Sequence, residues 1–213
     1  MTLINRDRLI LVAGALTAAA LTTTALIASS ATASAATVGE QAPAFTKMSS
    51  AGKLVSLDDF KGKTVVLEWT NNDCPYVANQ YRSGNMQKTQ AVAVAGGAVW
   101  ISVISSAPGK QGFVKAAQAN ELTASRGAHP TFVLLDSDGS MGHLYGAKTT
   151  PDIFVISPEG KIAYSGAIDS APTTDPAETA KATNYVTAAL AALKDGKQPS
   201  PALTRSYGCG VKY

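Results

Sequence analysis

Two cysteines and one proline are the residues of this chain best suited to do chemistry. Cys74 follows the apolar run Thr64-Val65-Val66-Leu67-Glu68-Trp69-Thr70 and directly precedes Pro75. Proline suits the first position of a helix, where its missing N–H costs nothing. The spacing therefore predicts Cys74 at the mouth of a helix that continues from a buried strand. Backbone N–H groups at a helix start lack intrahelical partners, and the helix macrodipole is positive there. A thiolate is stabilised at such a place, and the thiolate is the reactive form of cysteine. Asp73 acts the other way, because an adjacent negative charge raises a thiol pKa. Thr150-Pro151 stands between a loop and the apolar stretch Asp152 to Ile156. It reads either as a trans proline opening a strand or as a cis bond. A cis bond would lay the preceding backbone against Cys74, where an extended peptide or mixed-disulfide partner would sit.

Cys209 lies in Tyr207-Gly208-Cys209-Gly210, and the flanking glycines predict a flexible segment. A Cys74–Cys209 link would close a long loop, worth roughly 4–5 kcal/mol in the chain-entropy model, and would act as a structural staple. Alternatively, Cys74 attacks a substrate and a mobile Cys209 resolves the intermediate. The residues alone leave both readings open.

The elements that must position these groups alternate strands with helices. Residues 36–63 read as an extended lead-in with a hairpin, Phe45-Thr46-Lys47 against Leu54-Val55-Ser56-Leu57. Residues 64–70 are a near-continuous apolar run, as in a buried central strand. A helix from Pro75 breaks at Ser83-Gly84, and Asn85 is expected to cap a second helix through Ala95. Further strands are expected over 98–105, 131–136, 152–157 and 161–165, the last two joined as a hairpin across Pro158-Glu159-Gly160. Helices are expected over 112–124, with Phe113, Val114, Ala117 and Leu122 on one face, and over 140–145. A last helix starts near Asp175-Pro176 and ends at Gly196, with Val186, Leu190 and Leu193 on one stripe. A strand–helix–strand unit with a right-handed crossover, followed by an antiparallel hairpin, makes a small mixed sheet flanked by helices.

The N-terminus has a separate character. Arg6 and Arg8 precede an apolar stretch, Leu9 to Ala28, which ends in small residues with Ala33-Ser34-Ala35 as an A-x-A cleavage pattern. Residues 1–35 are read as a signal peptide, 36–196 as the folded domain and 197–213 as a tail carrying Cys209. The chain is expected to be exported, periplasmic or secreted, with no stable membrane insertion after cleavage. The 213-residue chain has a net charge of +3, and removing Arg6, Asp7 and Arg8 with the signal leaves +2. A balance that small gives no electrostatic reason to expect nucleic acid or an anionic membrane as partner. His129 and His143 lack metal-ligand spacing and read as surface or packing residues. Asp136, Asp138 and Gly139 read as a turn, since Ala147 stands where a calcium loop needs Glu.

Several segments resemble one family: Trp69-Thr70-Asn71-Asn72-Asp73-Cys74-Pro75-Tyr76-Val77, Asn85-Met86-Gln87, residues 105–112, Thr149-Thr150-Pro151, Gly166-Ala167-Ile168-Asp169 and residues 207–213. Together they resemble exported redoxins of the alkyl hydroperoxide reductase/thiol-specific antioxidant (peroxiredoxin-like) branch of the thioredoxin superfamily. The resemblance implies a thioredoxin-like fold, a redox-active Cys74 and a cis Thr150–Pro151 bond facing it. It departs from relatives in two ways. Thioredoxins carry C-x-x-C, and with Asn71 at the first position no local disulfide forms. Typical peroxiredoxins carry Pro and Thr or Ser where this chain has Leu67 and Asn71, and only Arg82 and Arg126 are candidates for their arginine. Asn71 is expected to donate a hydrogen bond to the Cys74 thiolate in place of the missing thiol.

The expected activity is thiol-dependent oxidoreduction, with Cys74 as nucleophile and Cys209 as resolving thiol. Thr150, Pro151, Asn71, Trp69 and Pro75 line the substrate site. The substrate is a protein disulfide or a hydroperoxide, the electron donor is an external thiol, and no metal or organic cofactor is needed. Two rival readings are a peroxiredoxin-like thiol peroxidase and a redox-inert binding module with a structural disulfide.

Overall fold

The computed structural model describes residues 36–213. The signal-peptide reading of residues 1–35 lies outside the described residues. Five strands make the main sheet: β3 (Val65–Trp69), β4 (Val99–Ile104), β5 (Phe132–Leu135), β7 (Asp152–Ile156) and β8 (Ile162–Gly166). Their order is β5-β4-β3-β7-β8. β3, β4 and β5 run parallel, β7 is antiparallel to β3, and β8 is antiparallel to β7. The hairpin β1 (Thr46–Met48) and β2 (Leu54–Ser56) forms as expected.

Side chains of a strand alternate between faces, and β3 shows how two cores result. Val65, Leu67 and Trp69 join Val99, Ile101, Val103, Phe154 and Ile156 on one face. That face is covered by Phe45 and Val55 of the lead-in and hairpin and by Met141 and Tyr145 of α4 (Ser140–Tyr145). Val66 faces the other way with Trp100, Ile153, Val155 and Tyr164. There the cover is α1 (Pro75–Arg82), α2 (Asn85–Ala95) and α6 (Tyr185–Lys194), through Val77, Tyr81, Met86, Ala93, Val186 and Ala189. α3 (Ala116–Ser125) packs at the β4–β5 end, and α5 (Pro176–Thr179) is a single turn capped by Asp175. Among the described residues no helix is long and apolar enough to cross a membrane.

The last helix, expected as one from Asp175-Pro176 to Gly196, is two, α5 and α6, the second capped by Asn184, and three further local expectations need correction. Asn85 does not cap α2. Gly84 takes the cap position, and the Asn85 amide turns inward to Gln80 Oε1 (2.7 Å) and Asp169 Oδ2 (2.9 Å). The helix expected from residue 112 starts at Ala116, and only Ala119 of it is buried. Gly112 has φ +83°, and a Cβ there would lie 2.2 Å from Asn71 Oδ1, so the chain passes Asn71 before it can coil. The third correction concerns the tail. Residues 198–213 do not hang free: Cys209–Gly210 form β9, antiparallel to β6 (Thr149–Thr150), with Thr150 opposite Cys209.

Candidate active site

Cys74 is the N-cap residue of α1 and Pro75 its first residue, as the spacing predicts. Its side chain is 0% exposed. The thiol donates to the Thr150 carbonyl at 3.1 Å, and its sulfur lies 2.6 Å from that of Cys209. Both cysteines are free thiols. The Thr150–Pro151 bond is cis, as the resemblance implies. One strand end, one helix start and one short antiparallel bridge thus bring together three groups far apart in the chain.

The electrostatics divide the pair. Burial pushes the Cys74 thiol pKa up, but the Cys209 thiol, the Val77 N–H, the Thr150 hydroxyl and the Cys209 N–H together outweigh it and bring the pKa below the ordinary value. The principal stabilisers are uncharged dipoles at a helix start and a strand edge. Cys209 moves the other way. Burial, the hydrogen bond with Cys74 and the charge of its thiolate push it up to about 11, against the pull of Lys212. Of the reduced pair, Cys74 is therefore the first to ionise and Cys209 the one that keeps its proton longer. Asp73 does not take part. It is exposed, and its carboxylate accepts the Gly112 N–H at 3.0 Å.

Two predicted site residues are placed elsewhere. Asn71 does not reach the Cys74 sulfur. Its Oδ1 accepts the Asp73 N–H at 2.9 Å and its Nδ2 donates to the Gln111 carbonyl at 3.3 Å, so its amide shapes the turn ahead of the helix. Trp69 is a core residue rather than a substrate contact. It is fully buried on the opposite face of β3 from Cys74, donates to Ser105 Oγ at 3.0 Å and packs on Tyr145 and Phe154. Thr150 and Pro151 do adjoin the sulfurs, and Pro75 is exposed beside them. Arg126 lies over the Tyr81 ring, 4.4 Å from its centroid, and its Nε donates to the Leu122 carbonyl.

Other residues of the site have no role assigned from sequence, although Asp169 and residues 207–213 lie in segments that carry the resemblance. The tail is clamped on both sides of Cys209. Before it, the Tyr207 hydroxyl donates to Asp169 Oδ1 at 2.5 Å and accepts from Gln80 Nε2 at 3.0 Å, while its ring packs edge-on against Tyr76. After it, the Val211 N–H donates to the Lys148 carbonyl at 3.1 Å, and the Lys212 carbonyl accepts the Ala107 N–H at 2.8 Å. Tyr213 stacks on His143 at 3.9 Å and donates to the Ala147 carbonyl. Beneath α1, the buried carboxylate of Glu68 receives Trp100 Nε1 and Ser102 Oγ, both at 2.9 Å, and Tyr81 Oη and Gln90 Nε2, both at 3.2 Å. These bonds fasten α1 and α2, and with them Cys74, to the sheet. A lone acid inside an apolar strand is the sequence signal that could have marked Glu68.

Asp152, next to Pro151, gathers the Lys148 and Thr149 N–H groups and the Ser206 side chain. Burial raises its pKa to about 6 even so. The folded state then binds a proton that the unfolded chain gives up, so this contribution to stability is full below about pH 4. It is lost as pH rises through 6, costing about 3 kcal/mol. Burial raises Glu68 in the same direction. Urea midpoints measured from pH 4 to 8 should fall, and Asp152→Asn should flatten that fall, leaving only the Glu68 share. An unchanged slope would exclude Asp152 as its source.

A mixed five-stranded sheet with a thiol at the first helix start and a cis-proline opposite defines a thioredoxin-like fold. Comparison with known proteins agrees. A family profile described as Redoxin matches residues 37–183, and the chain belongs to that family. The thiol-disulfide oxidoreductase ResA of Bacillus subtilis (strain 168) is 33% identical over 131 residues, 58% of this chain and 64% of that protein. The match thus spans less than two thirds of that relative. Two solved structures superpose over most of the chain. An uncharacterized conserved protein from Geobacillus kaustophilus has a TM-score of 0.71 and 23% identity, over 83% of this chain and 92% of its own. The hypothetical protein SMc02350 from Sinorhizobium meliloti 1021 has a TM-score of 0.70 and 22% identity, over 84% and 96%.

Proposed function

We propose that this protein is an exported thiol–disulfide oxidoreductase whose redox pair is Cys74 and Cys209. The observation that carries the reading is the 2.6 Å approach of the two sulfurs, one favoured as thiolate and the other held as thiol. Cys74 is the nucleophile of the pair, Cys209 its partner in the intramolecular disulfide, and Thr150 and Pro151 the wall behind them. Thiol chemistry alone moves the two electrons, with an external thiol as donor. The similarity to ResA supports exchange between thiols and disulfides, and the basic, apolar and small-residue pattern of residues 1–35 supports export.

Peroxide reduction is a second reading, favoured by the enclosure of Cys74, which admits a small oxidant more readily than a folded protein. The thiolate would take one oxygen from the hydroperoxide, giving a sulfenic acid and an alcohol, and Cys209 would condense with it, releasing water. The groups that chiefly stabilise the Cys74 thiolate are uncharged, which favours exchange. The two readings separate when reduced protein meets either a peptide disulfide or hydrogen peroxide at equal concentration. Exchange predicts faster loss of protein thiols with the peptide disulfide, release of the peptide thiol, and no sulfenate adduct in Cys209→Ser. Faster oxidation by peroxide with sulfenate capture would make the protein a peroxidase.

A further inference from the structure

We infer that Tyr207 is a positioning residue of the redox cycle: its phenol latches the tail to the helix of Cys74, favouring the closed state in which Cys209 resolves over the open state in which a substrate reaches Cys74. This role rests on the exchange reading, in which Cys74 is the nucleophile, and names the residue that sets its two steps against each other.

Cys74 must meet a substrate sulfur, yet it has no exposed surface. Its sulfur is enclosed by Val77 at the helix start, by Thr150 and by Cys209. Val77 belongs to α1 and Thr150 to the segment that leads into β7, both packed into the body of the fold. Cys209 belongs to a two-residue strand beyond the last helix. The segment that can leave without dismantling α1 or the sheet is therefore the tail. Its swing has a fixed origin. Ser165 of β8 donates its N–H to the Ala202 carbonyl and accepts the Thr204 N–H, both at 3.0 Å, and Thr204 Oγ1 accepts the Ala167 N–H at 2.9 Å. Arg205, the next residue, is exposed.

Beyond that origin, the tail is held by the β6–β9 pairing and by Tyr207, Val211, Lys212 and Tyr213. Val211 and Lys212 engage neutral backbone groups, and Tyr213 a neutral carbonyl. Of these anchors Tyr207 has the charged partner, Asp169, and hydrogen bonds to an ionised group are roughly twice as strong as neutral ones. Burial and the Asp169 carboxylate push the phenol pKa up, so it remains a donor. The receptor is complete without the phenol. Asp169 is buried and also accepts Gln80 Nε2 at 2.8 Å, Asn85 Nδ2 at 2.9 Å and the Ala171 N–H at 2.9 Å. When Tyr207 departs, no buried charge is left unpaired, so the latch can open and re-form on a standing socket. Two of its contacts, the Tyr76 ring and the Gln80 amide, lie on α1, the helix that Cys74 caps. The bond thus ties Cys209, two residues on, to the element that carries the nucleophile.

In the open state the Cys74 thiolate attacks one sulfur of a substrate disulfide, forms a Cys74–substrate disulfide and expels the other sulfur as thiolate. When the tail closes again, Cys209 gives its proton to water and attacks the Cys74 sulfur, and the second substrate sulfur leaves as thiolate. The substrate disulfide is reduced to two thiols and the protein pair is oxidised to its disulfide. A weaker latch should speed the first step and slow the second.

The test mixes reduced wild-type protein or Tyr207→Phe with one equivalent of a chromogenic aromatic disulfide and follows release of the coloured thiol. Samples quenched in acid are mapped by mass spectrometry for the cysteine carrying an adduct. Phenylalanine keeps the ring against Tyr76, so the fold should be retained. Wild-type protein should release both thiol equivalents in one phase, set by tail opening. In Tyr207→Phe the first equivalent should appear about tenfold faster, the size expected for losing a hydrogen bond to a charged group. The second should follow as a separate phase, with an adduct on Cys74 accumulating between them. Faster capture with delayed resolution is a split that a merely structural role for Tyr207 would not produce. A first phase no faster than wild type, a faster one without accumulated adduct, or an adduct on Cys209 would overturn the inference and leave the exchange reading intact. No coloured thiol from either protein would remove the exchange reading and this inference together.

Discussion

Cys74→Ser should reduce disulfide turnover to the background rate while leaving the fold unchanged. Serine is close to cysteine in size and keeps a donor for the Thr150 carbonyl, which lies 3.1 Å from the sulfur. Packing around the helix start should therefore survive, with a loss of stability no larger than the roughly 1–3 kcal/mol that a more polar group costs in a buried place. What disappears is the thiolate that the Val77 and Cys209 N–H groups favour. A serine hydroxyl cannot close a bond to Cys209, so the intramolecular disulfide cannot form and the cycle stops. Loss of turnover with the fold intact is the expected pattern. Turnover at the wild-type rate would show that the chemistry lies elsewhere.

Gly208→Ala should disable the pair from the other side. Gly208 has φ +128°, and a Cβ built there lies 2.1 Å from the Thr150 carbonyl oxygen. That oxygen is backbone held beside the cis-proline, so it has no side-chain freedom with which to move away. The φ region is one that residues with a side chain rarely occupy, at a cost of roughly 1–3 kcal/mol, and the steric overlap adds to it. β9 should lift from β6, carrying Cys209 off Cys74. Formation of the intramolecular disulfide should slow by about tenfold or more, since every 1.4 kcal/mol is a factor of ten. Gly210→Ala is the matched control. It also lies beside Cys209, but a Cβ there meets nothing nearer than the Lys148 carbonyl at 4.0 Å, so closure should proceed at the wild-type rate. Equal effects from the two substitutions would mean that the β6–β9 bridge does not set the sulfur distance.

The legible parts of this molecule were those written in local pattern. The apolar run of residues 64–70 became a fully buried strand, and Pro75 put Cys74 at a helix start. The Pro158-Glu159-Gly160 turn joined β7 to β8. What stayed hidden depends on partners distant in the chain. The two glycines around Cys209 argued for a mobile tail, because glycine is permissive when nothing else is known. In the fold, Gly208 is required for close approach to Thr150, and Tyr207 and Tyr213 anchor the segment. Trp69 and Asn71 belong to the segment around Cys74 that carries the resemblance, and Asn71 is expected to donate to the thiolate. The pleat sends Trp69 to the opposite core, and the turn engages the Asn71 amide before it can reach the sulfur. The expectation that a local partner thiol would precede Cys74 at Asn71 needs correction, because the neighbour whose N–H reaches the sulfur is Val77, three positions further along α1.

The unequal acidity of the two sulfurs sets which one is the nucleophile, and ultraviolet titration of the thiolates in the reduced protein measures it directly. Two strongly interacting thiols titrate in two steps that belong to the pair, so Cys209→Ser serves to assign the first. The expected curve has a first ionisation lowered from the ordinary thiol value, retained though raised in Cys209→Ser, and a second near 11. A single step at the value of a free thiol, the same with and without Cys209, would contradict it.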